Sequence, residues 1–187
     1  MNPHGDRPPT PLERFDMRVE RALAASRGRP VIDRVAYTLS EAANHSILWH
    51  SINALDAAGG VIAGKPARAR RALRRSVVLG VEQALVNGPL KALMARQRPE
   101  PLDTHPHRLR SPLTSSFPSG HATAGACAAV LGSADTGHRW AWWSLAALVG
   151  WSRVHVGLHH PSDVLGGWLA GAGLARTAQG LWPPPPG

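Results

Sequence analysis

Only one cysteine, Cys127, occurs in the 187 residues. No intramolecular disulfide can form, so the fold must be held by packing and polar contacts alone. Phenylalanine and tyrosine are scarce, two and one, against seven tryptophans. Nowhere do apolar and polar residues alternate over a strand length between hairpin turns, which excludes a β-sheet fold. No uninterrupted run of about twenty apolar residues appears either, and the mean hydropathy is −0.17. The opening MNPHGDRPPTPLERFD has no apolar core and does not read as a cleavable signal peptide. A membrane location must therefore come from internal helices. Acidic residues are few, 12 against 21 Lys and Arg, giving a net charge of +9. That balance attracts phosphate in some form: nucleic acid, anionic lipid or a phosphorylated substrate. No helix-turn-helix, zinc-finger or RNA-binding pattern accompanies the charge, and aromatics do not interleave with it, so no nucleic-acid partner is expected.

What the chain has in quantity is small residues, with glycine at 19 positions and alanine throughout. Small residues let helices approach closely, and tryptophan favours membrane interfaces. Residues 1–11 and the final WPPPPG (182–187) are expected to be disordered tails. Between them, residues 12–181 make one domain with a motif-bearing core at 76–181. Residues 12–27 have the spacing of an amphipathic helix lying on a surface, and a weaker amphipathic segment covers 30–44. Five segments, 46–64, 76–94, 120–134, 140–156 and 162–181, are candidate spans. The first carries His50, Asn53 and Asp56, and Trp140, Trp142, Trp143 and Trp151 bracket the fourth. The expected fold is all-α, a membrane-embedded bundle of about five to six helices. KPARARRALRR (65–75) holds six basic residues between the first two spans. The positive-inside tendency makes it cytoplasmic. Loops 96–119 and 153–161 then share the outer face, although Arg96, Arg98, Arg108 and Arg110 make the first of them basic too.

Three stretches carry chemistry. In GPLKALMARQRPEP, Lys91 and Arg98 are seven apart. On one helix they would lie on nearly the same face, about 10 Å apart along the axis, with Pro99 ending the helix. Two cations at the mouth of a bundle make an anion clamp. In SSFPSGHATAGACAAV, Ser119 reads as an N-cap, with Gly120 and His121 in the first turn. Unpaired N–H groups and the positive end of the dipole make this a phosphate cradle, which the backbone can approach closely at glycine. In GWSRVHVGLHHPSDVLGG, Arg153 adds a cation. His159 and Asp163 are four apart, where a carboxylate can hold an imidazole nitrogen and fix its tautomer. The same Pro161, His160 and Asp163 also suit the start of a helix. His155, His159 and His160, with His105 and His107, invite a metal reading. Without HExxH or a cysteine pair, and beside several cations, no metal is expected.

Taken in order, these residues resemble the type 2 phosphatidic acid phosphatase family, which also includes bacterial acid phosphatases and vanadium-dependent haloperoxidases. The match is Lys91, six residues, Arg98-Pro99; then Pro118-Ser119-Gly120-His121; then Ser152-Arg153, five residues, His159, three residues, Asp163. It runs without departure over 91–163. The resemblance implies His159 as a nucleophile that forms a phosphohistidine, oriented by Asp163. It implies Lys91, Arg98, Arg153, Ser119 and the Gly120 amide as ligands of the phosphoryl oxygens. His121 would protonate the leaving alkoxide and then activate water, with no cofactor. The chain is too small for a haloperoxidase and lacks the leader of a secreted acid phosphatase. The expectation is therefore a small bacterial membrane phosphatase working at the outer face. Its substrate would be phosphatidic acid, phosphatidylglycerol phosphate, or a polyprenyl phosphate or diphosphate of cell-wall synthesis. Two other readings stand beside it: a broad acid phosphatase for soluble phosphomonoesters, and a non-catalytic binder of anionic lipid heads.

Overall fold

The computed structural model describes residues 7–100 and 114–186, and the regular structure among them is entirely helical. Proline opens four of the helices, where its missing N–H is no loss and its fixed φ suits the first turn. These are α1 (Pro11–Ala24), α2 (Pro30–Ala42), α4 (Pro66–Leu85) and α8 (Pro161–Leu181). The others are α3 (Ile47–Ile62), a single turn α5 (Lys91–Leu93), α6 (Gly120–Thr136) and α7 (Arg139–His155). The five expected spans correspond to α3, α4 with α5, α6, α7 and α8.

The described residues near both ends make contacts. Thr10 Oγ1 accepts the Glu13 N–H at 3.2 Å while the Glu13 carboxylate accepts the Thr10 N–H at 2.7 Å, so Thr10 and Pro11 begin α1. At the other end Arg74 Nε donates to the Trp182 carbonyl at 2.7 Å and Arg71 Nε to that of Pro185 at 2.9 Å, holding the proline run against α4.

Helix α6 is the axis of the bundle and packs on α4, α7 and α8. Its alanines and glycines are buried almost throughout, and their small size lets α8 approach backbone to backbone. A Cβ at Gly171 would stand 2.0 Å from the Thr123 carbonyl oxygen, and one at Gly167 would stand 2.7 Å from that of Ser119. The apolar core adds Leu79, Cys127, Leu131 and Val149. Trp142, expected at an interface, belongs to this core and stacks on Trp49 with ring centroids 6.3 Å apart.

The basic block is not a loop. It forms the first turns of α4, and Arg75 is buried there. Arg75 donates to Asn53 Oδ1 at 2.9 Å, to Asp135 Oδ2 at 3.0 Å and to Asp56. This accounts for two of the polar residues in α3, since buried charges persist only when paired. The bundle thus has an arginine end and, at the far end of α4, a second polar end carrying the three motifs. No helix among the described residues is long and apolar enough to cross a membrane. Exposed Leu55, Ile62, Leu73, Val77, Val81 and Leu169 nevertheless line the outside of the bundle.

Candidate active site

The first motif is delivered by a broken helix. Beyond α4, residues Val86–Leu90 form a π-type turn with Gly88 at φ −91°, ψ −106° and Pro89 inside it. Helix α5 then lasts one turn, and Met94 is extended at φ −111°, ψ 122°. Lys91 and Arg98 therefore do not share a helix face, contrary to the sequence expectation. Gly88-Pro89 disrupts the ladder upstream, and Pro99 disfavours helical backbone at Arg98. Lys91 is buried at the start of α5. Arg98 reaches in from the extended segment and donates to the carbonyls of Leu158 (2.9 Å), Thr114 (3.2 Å) and Ser115 (3.3 Å).

The second motif opens α6. Ser119 occupies the N-cap position (φ −68°, ψ 112°), but its side chain does not cap the helix. Its N–H donates instead to the Asp163 carbonyl at 3.0 Å, and its Oγ is buried without a partner among the described residues. A Cβ at Gly120 would come within 3.0 Å of Asn87 Oδ1 and 3.6 Å of Lys91 Nζ, so a side chain here would crowd the first motif.

The third motif runs from the last turn of α7, with Arg153, through the connecting turn, with His159, to the first turn of α8, with Asp163. His159 is 2% exposed, and its N–H is fixed by the Arg153 carbonyl at 3.2 Å. Its Nε2 stands 3.4 Å from Arg98 Nη1, and its Nδ1 stands 3.5 Å from Asp163 Oδ2, long for a hydrogen bond. Guanidinium can only donate, so Nε2 is the acceptor and the proton of the neutral ring sits on Nδ1, toward the carboxylate. Burial pushes the His159 imidazole down to about 3; Asp163 opposes that shift, and Arg153 and Arg98 add to it. At neutral pH the ring is uncharged and holds a lone pair on Nε2.

Asp163 is itself fixed. Oδ2 accepts the His160 N–H at 2.9 Å and Oδ1 accepts Arg96 Nη1 at 2.6 Å. Arg96 also donates to Ser162 Oγ at 2.7 Å and to Asp16 Oδ2 at 2.7 Å. Asp16, buried on α1, accepts the Ser162 N–H at 2.8 Å and its O–H at 2.6 Å. The sequence reading missed Arg96 and Asp16. The available signal was an aspartate on the inward face of an amphipathic helix.

His121 and Arg153 are held from the other side. His121 Nε2 lies 3.0 Å from Asn44 Oδ1. Asn44 begins the bend between α2 and α3, where His45 and Ser46 adopt left-handed backbone at φ 51° and 59°. Such conformations are sparsely populated outside glycine and cluster at functional sites. Ser46 Oγ accepts from Gln83 at 2.6 Å, and Gln83 accepts from Asn87, which borders Gly120, at 2.5 Å. Arg153 donates to Ser40 through Nη1, and its buried Nε has no partner among the described residues.

Lys91, Arg98 and Arg153 lie near enough to oppose one another's charge, with His121 and His159 beside Arg153. Two buried polar atoms here, Ser119 Oγ and Arg153 Nε, lack hydrogen-bond partners among the described residues. Both can donate, and unpaired donors among cations suit an anion. The histidines otherwise diverge: His155 Nε2 pairs with Asp33 at 2.8 Å and His160 Nδ1 with Glu20 at 2.8 Å. Among the described residues no group of three ligands could hold a metal ion. His105, His107, Arg108 and Arg110 lie outside the described residues.

Known proteins resemble this chain in sequence and in fold. The PAP2 superfamily profile matches residues 72–182. A decaprenylphosphoryl-5-phosphoribose phosphatase of Mycolicibacterium smegmatis is 35% identical over 154 residues, 80% of this chain and 77% of that protein. An undecaprenyl-diphosphatase of Sulfolobus acidocaldarius is 36% identical over 108 residues, 54% of this chain and 50% of the relative, so the match spans about half of that protein. The crystal structure of a transmembrane PAP2 type phosphatidylglycerolphosphate phosphatase from Bacillus subtilis superposes with a TM-score of 0.69. Its sequence identity is 25%, and the alignment covers 91% of this chain and 85% of that one. The all-helical fold is thus that of a membrane protein, which supports a membrane location.

Proposed function

Because the chain belongs to the PAP2 superfamily, we propose that it is a metal-independent phosphatase that hydrolyses a lipid phosphate or diphosphate through a phosphohistidine. The observation that carries this reading is the neutral His159, with its lone pair on Nε2 facing the cations and its Nδ1–H facing an anchored carboxylate. Residues 12–181 act as one catalytic domain, with 1–11 and 182–187 outside its chemistry.

In the first step Nε2 of His159 attacks phosphorus. A P–N bond forms as the P–O bond to the lipid breaks, and the charge gained by the ring is balanced by Asp163. Lys91, Arg98, Arg153, Ser119 Oγ and the Gly120 N–H bind the phosphoryl oxygens and stabilise their transition-state charge. His121, entering as an imidazolium with the bound phosphate and released from Asn44, gives its Nε2 proton to the leaving alkoxide and becomes neutral. In the second step the same ring takes a proton from water as the water oxygen attacks phosphorus and the P–N bond breaks. Orthophosphate leaves and both histidines return to their starting states.

The named activities of the relatives favour a polyprenyl-linked phosphate or diphosphate, with phosphatidylglycerol phosphate second. With the arginine end in the cytoplasm, the catalytic end faces the outer side of the membrane. The test is phosphate release by detergent-purified protein from a panel of these lipids, phosphatidic acid and a soluble aryl phosphate, with EDTA present. Release that persists in EDTA and is fastest on one lipid is expected. Release from the aryl ester alone would indicate a broad acid phosphatase, and none at all would favour a non-catalytic lipid binder.

Arg96 gives a second measurement, because it acts through Asp163 and not on substrate. Arg96→Ala is expected to lower kcat by roughly 100-fold, as a misplaced reacting group does, with KM little changed. Arg96→Lys should restore part of the rate through its ammonium. A rise in KM at unchanged kcat would show that Arg96 contacts the substrate instead.

A further inference from the structure

At the arginine end, neighbouring arginines have opposite surroundings. Arg75 meets two carboxylates, whereas Arg74, 2% exposed, makes no ion pair among the described residues. Its Nε and Nη2 donate to the carbonyls of Trp182 (2.7 Å) and Ala178 (3.4 Å), and its guanidinium lies over the Trp182 ring at 5.8 Å. Nη1 is buried with no partner at all among the described residues. A buried charge with no direct ion pair and an unused donor is costly unless something supplies an anion at that donor.

The surroundings indicate what that anion is attached to. Arg74 lines a cavity of about 380 Å³ together with Arg70, Leu73, Val77, Trp182 and Pro183. Arg70 is exposed at its rim. Leu73 and Val77, 64% and 46% exposed, continue into Val81 at 54%, an unpartnered aliphatic row at four-residue spacing along α4. A charged end that opens onto an apolar row fits an amphiphile better than a free ion. Helix α4 runs eleven residues on from Arg74 to Leu85, about 16 Å at helical rise, and Lys91 lies beyond that end, so this is not the catalytic centre.

We propose that the cleft between α4 and the C-terminal proline segment binds an anionic phospholipid. The phosphodiester takes Arg74 Nη1 and Arg70, the Trp182 ring flanks the headgroup, and an acyl chain lies along Leu73, Val77 and Val81. This rests on the membrane location and is independent of the catalytic reading.

Native mass spectrometry of detergent-purified protein with phosphatidylglycerol or phosphatidylcholine tests it. The wild-type protein should retain phosphatidylglycerol about tenfold more than phosphatidylcholine, the scale expected for surface arginines facing anionic lipid. That preference should vanish in Arg74→Gln and in Arg70→Gln. Arg70→Gln alters only an exposed side chain, so it decides the matter if Arg74→Gln does not fold, and it should leave turnover of a soluble aryl phosphate unchanged. Arg98→Gln, at the catalytic end, should keep the preference. Equal retention of both lipids overturns the proposal, as does a preference lost in Arg98→Gln but kept in Arg70→Gln. Displacement of the lipid by millimolar inorganic phosphate would reduce the cleft to an ion site.

Discussion

Replacement of His159 by alanine is expected to abolish phosphate release, by a factor on the order of 10⁴ or more, while leaving lipid phosphate binding and helix content intact. Among the described residues only this ring combines burial, a lone pair on Nε2 aimed at the cations and a proton on Nδ1 facing Asp163. His155 and His160 cannot replace it, because Asp33 and Glu20 already engage them. The measurement is single-turnover release from a radiolabelled lipid phosphate, with acid-labile label on the protein as a second readout. Alanine at His121 should let that label accumulate, since the ring that activates water is gone. Turnover of His159→Ala at the wild-type rate would sink the phosphohistidine mechanism.

Gly171→Ala is expected to be the most damaging small substitution away from the site. The added methyl would stand 2.0 Å from the Thr123 carbonyl oxygen, which is backbone and cannot swing aside. Either α6 and α8 move apart or α6 bends. Overpacking of this kind costs about 3 kcal/mol, and for a chain of this length the melting temperature should fall by roughly 10 °C. Because the Thr123 N–H donates to the Ser119 carbonyl at 2.9 Å, the displacement also reaches the cradle. Activity measured well below the melting point should therefore drop as well. Gly173→Ala, where an added methyl meets nothing within 4 Å, is the control. Equal melting temperatures for the two variants would mean that the helices are not as close as described.

The helices were legible because their signals are local. Prolines mark four helix starts, and the small-residue runs of α6 and α8 are continuous in sequence. The second and third motifs were legible for the same reason: the second opens one helix, and the third joins the end of α7 to the start of α8 across one short turn. The first motif was not, because counting seven residues along a helix assumes that the helix continues, and Gly88-Pro89 ends that assumption before Lys91. Arg96, Asp16 and Asn44 escaped for a different reason. Their partners lie 67, 80 or 77 residues away along the chain, and no spacing rule reaches across such gaps. Trp142 reads as an interface residue by type, but the approach of α3 and α6 turns it into core.

The bond from the Ser119 N–H to the Asp163 carbonyl joins the starts of α6 and α8 where Gly167 and Gly171 already bring their backbones together. Cradle and nucleophile therefore behave as a single cassette with no freedom to adapt to different lipids. Diversity among relatives must then be carried by the detachable pieces around it, namely α1, the bend at Asn44 and the extended segment bearing Arg96 and Arg98. A chimera that exchanges only those pieces should change which lipid is preferred while inheriting the same chemistry, whereas one that exchanges α6 without α8 should inherit neither.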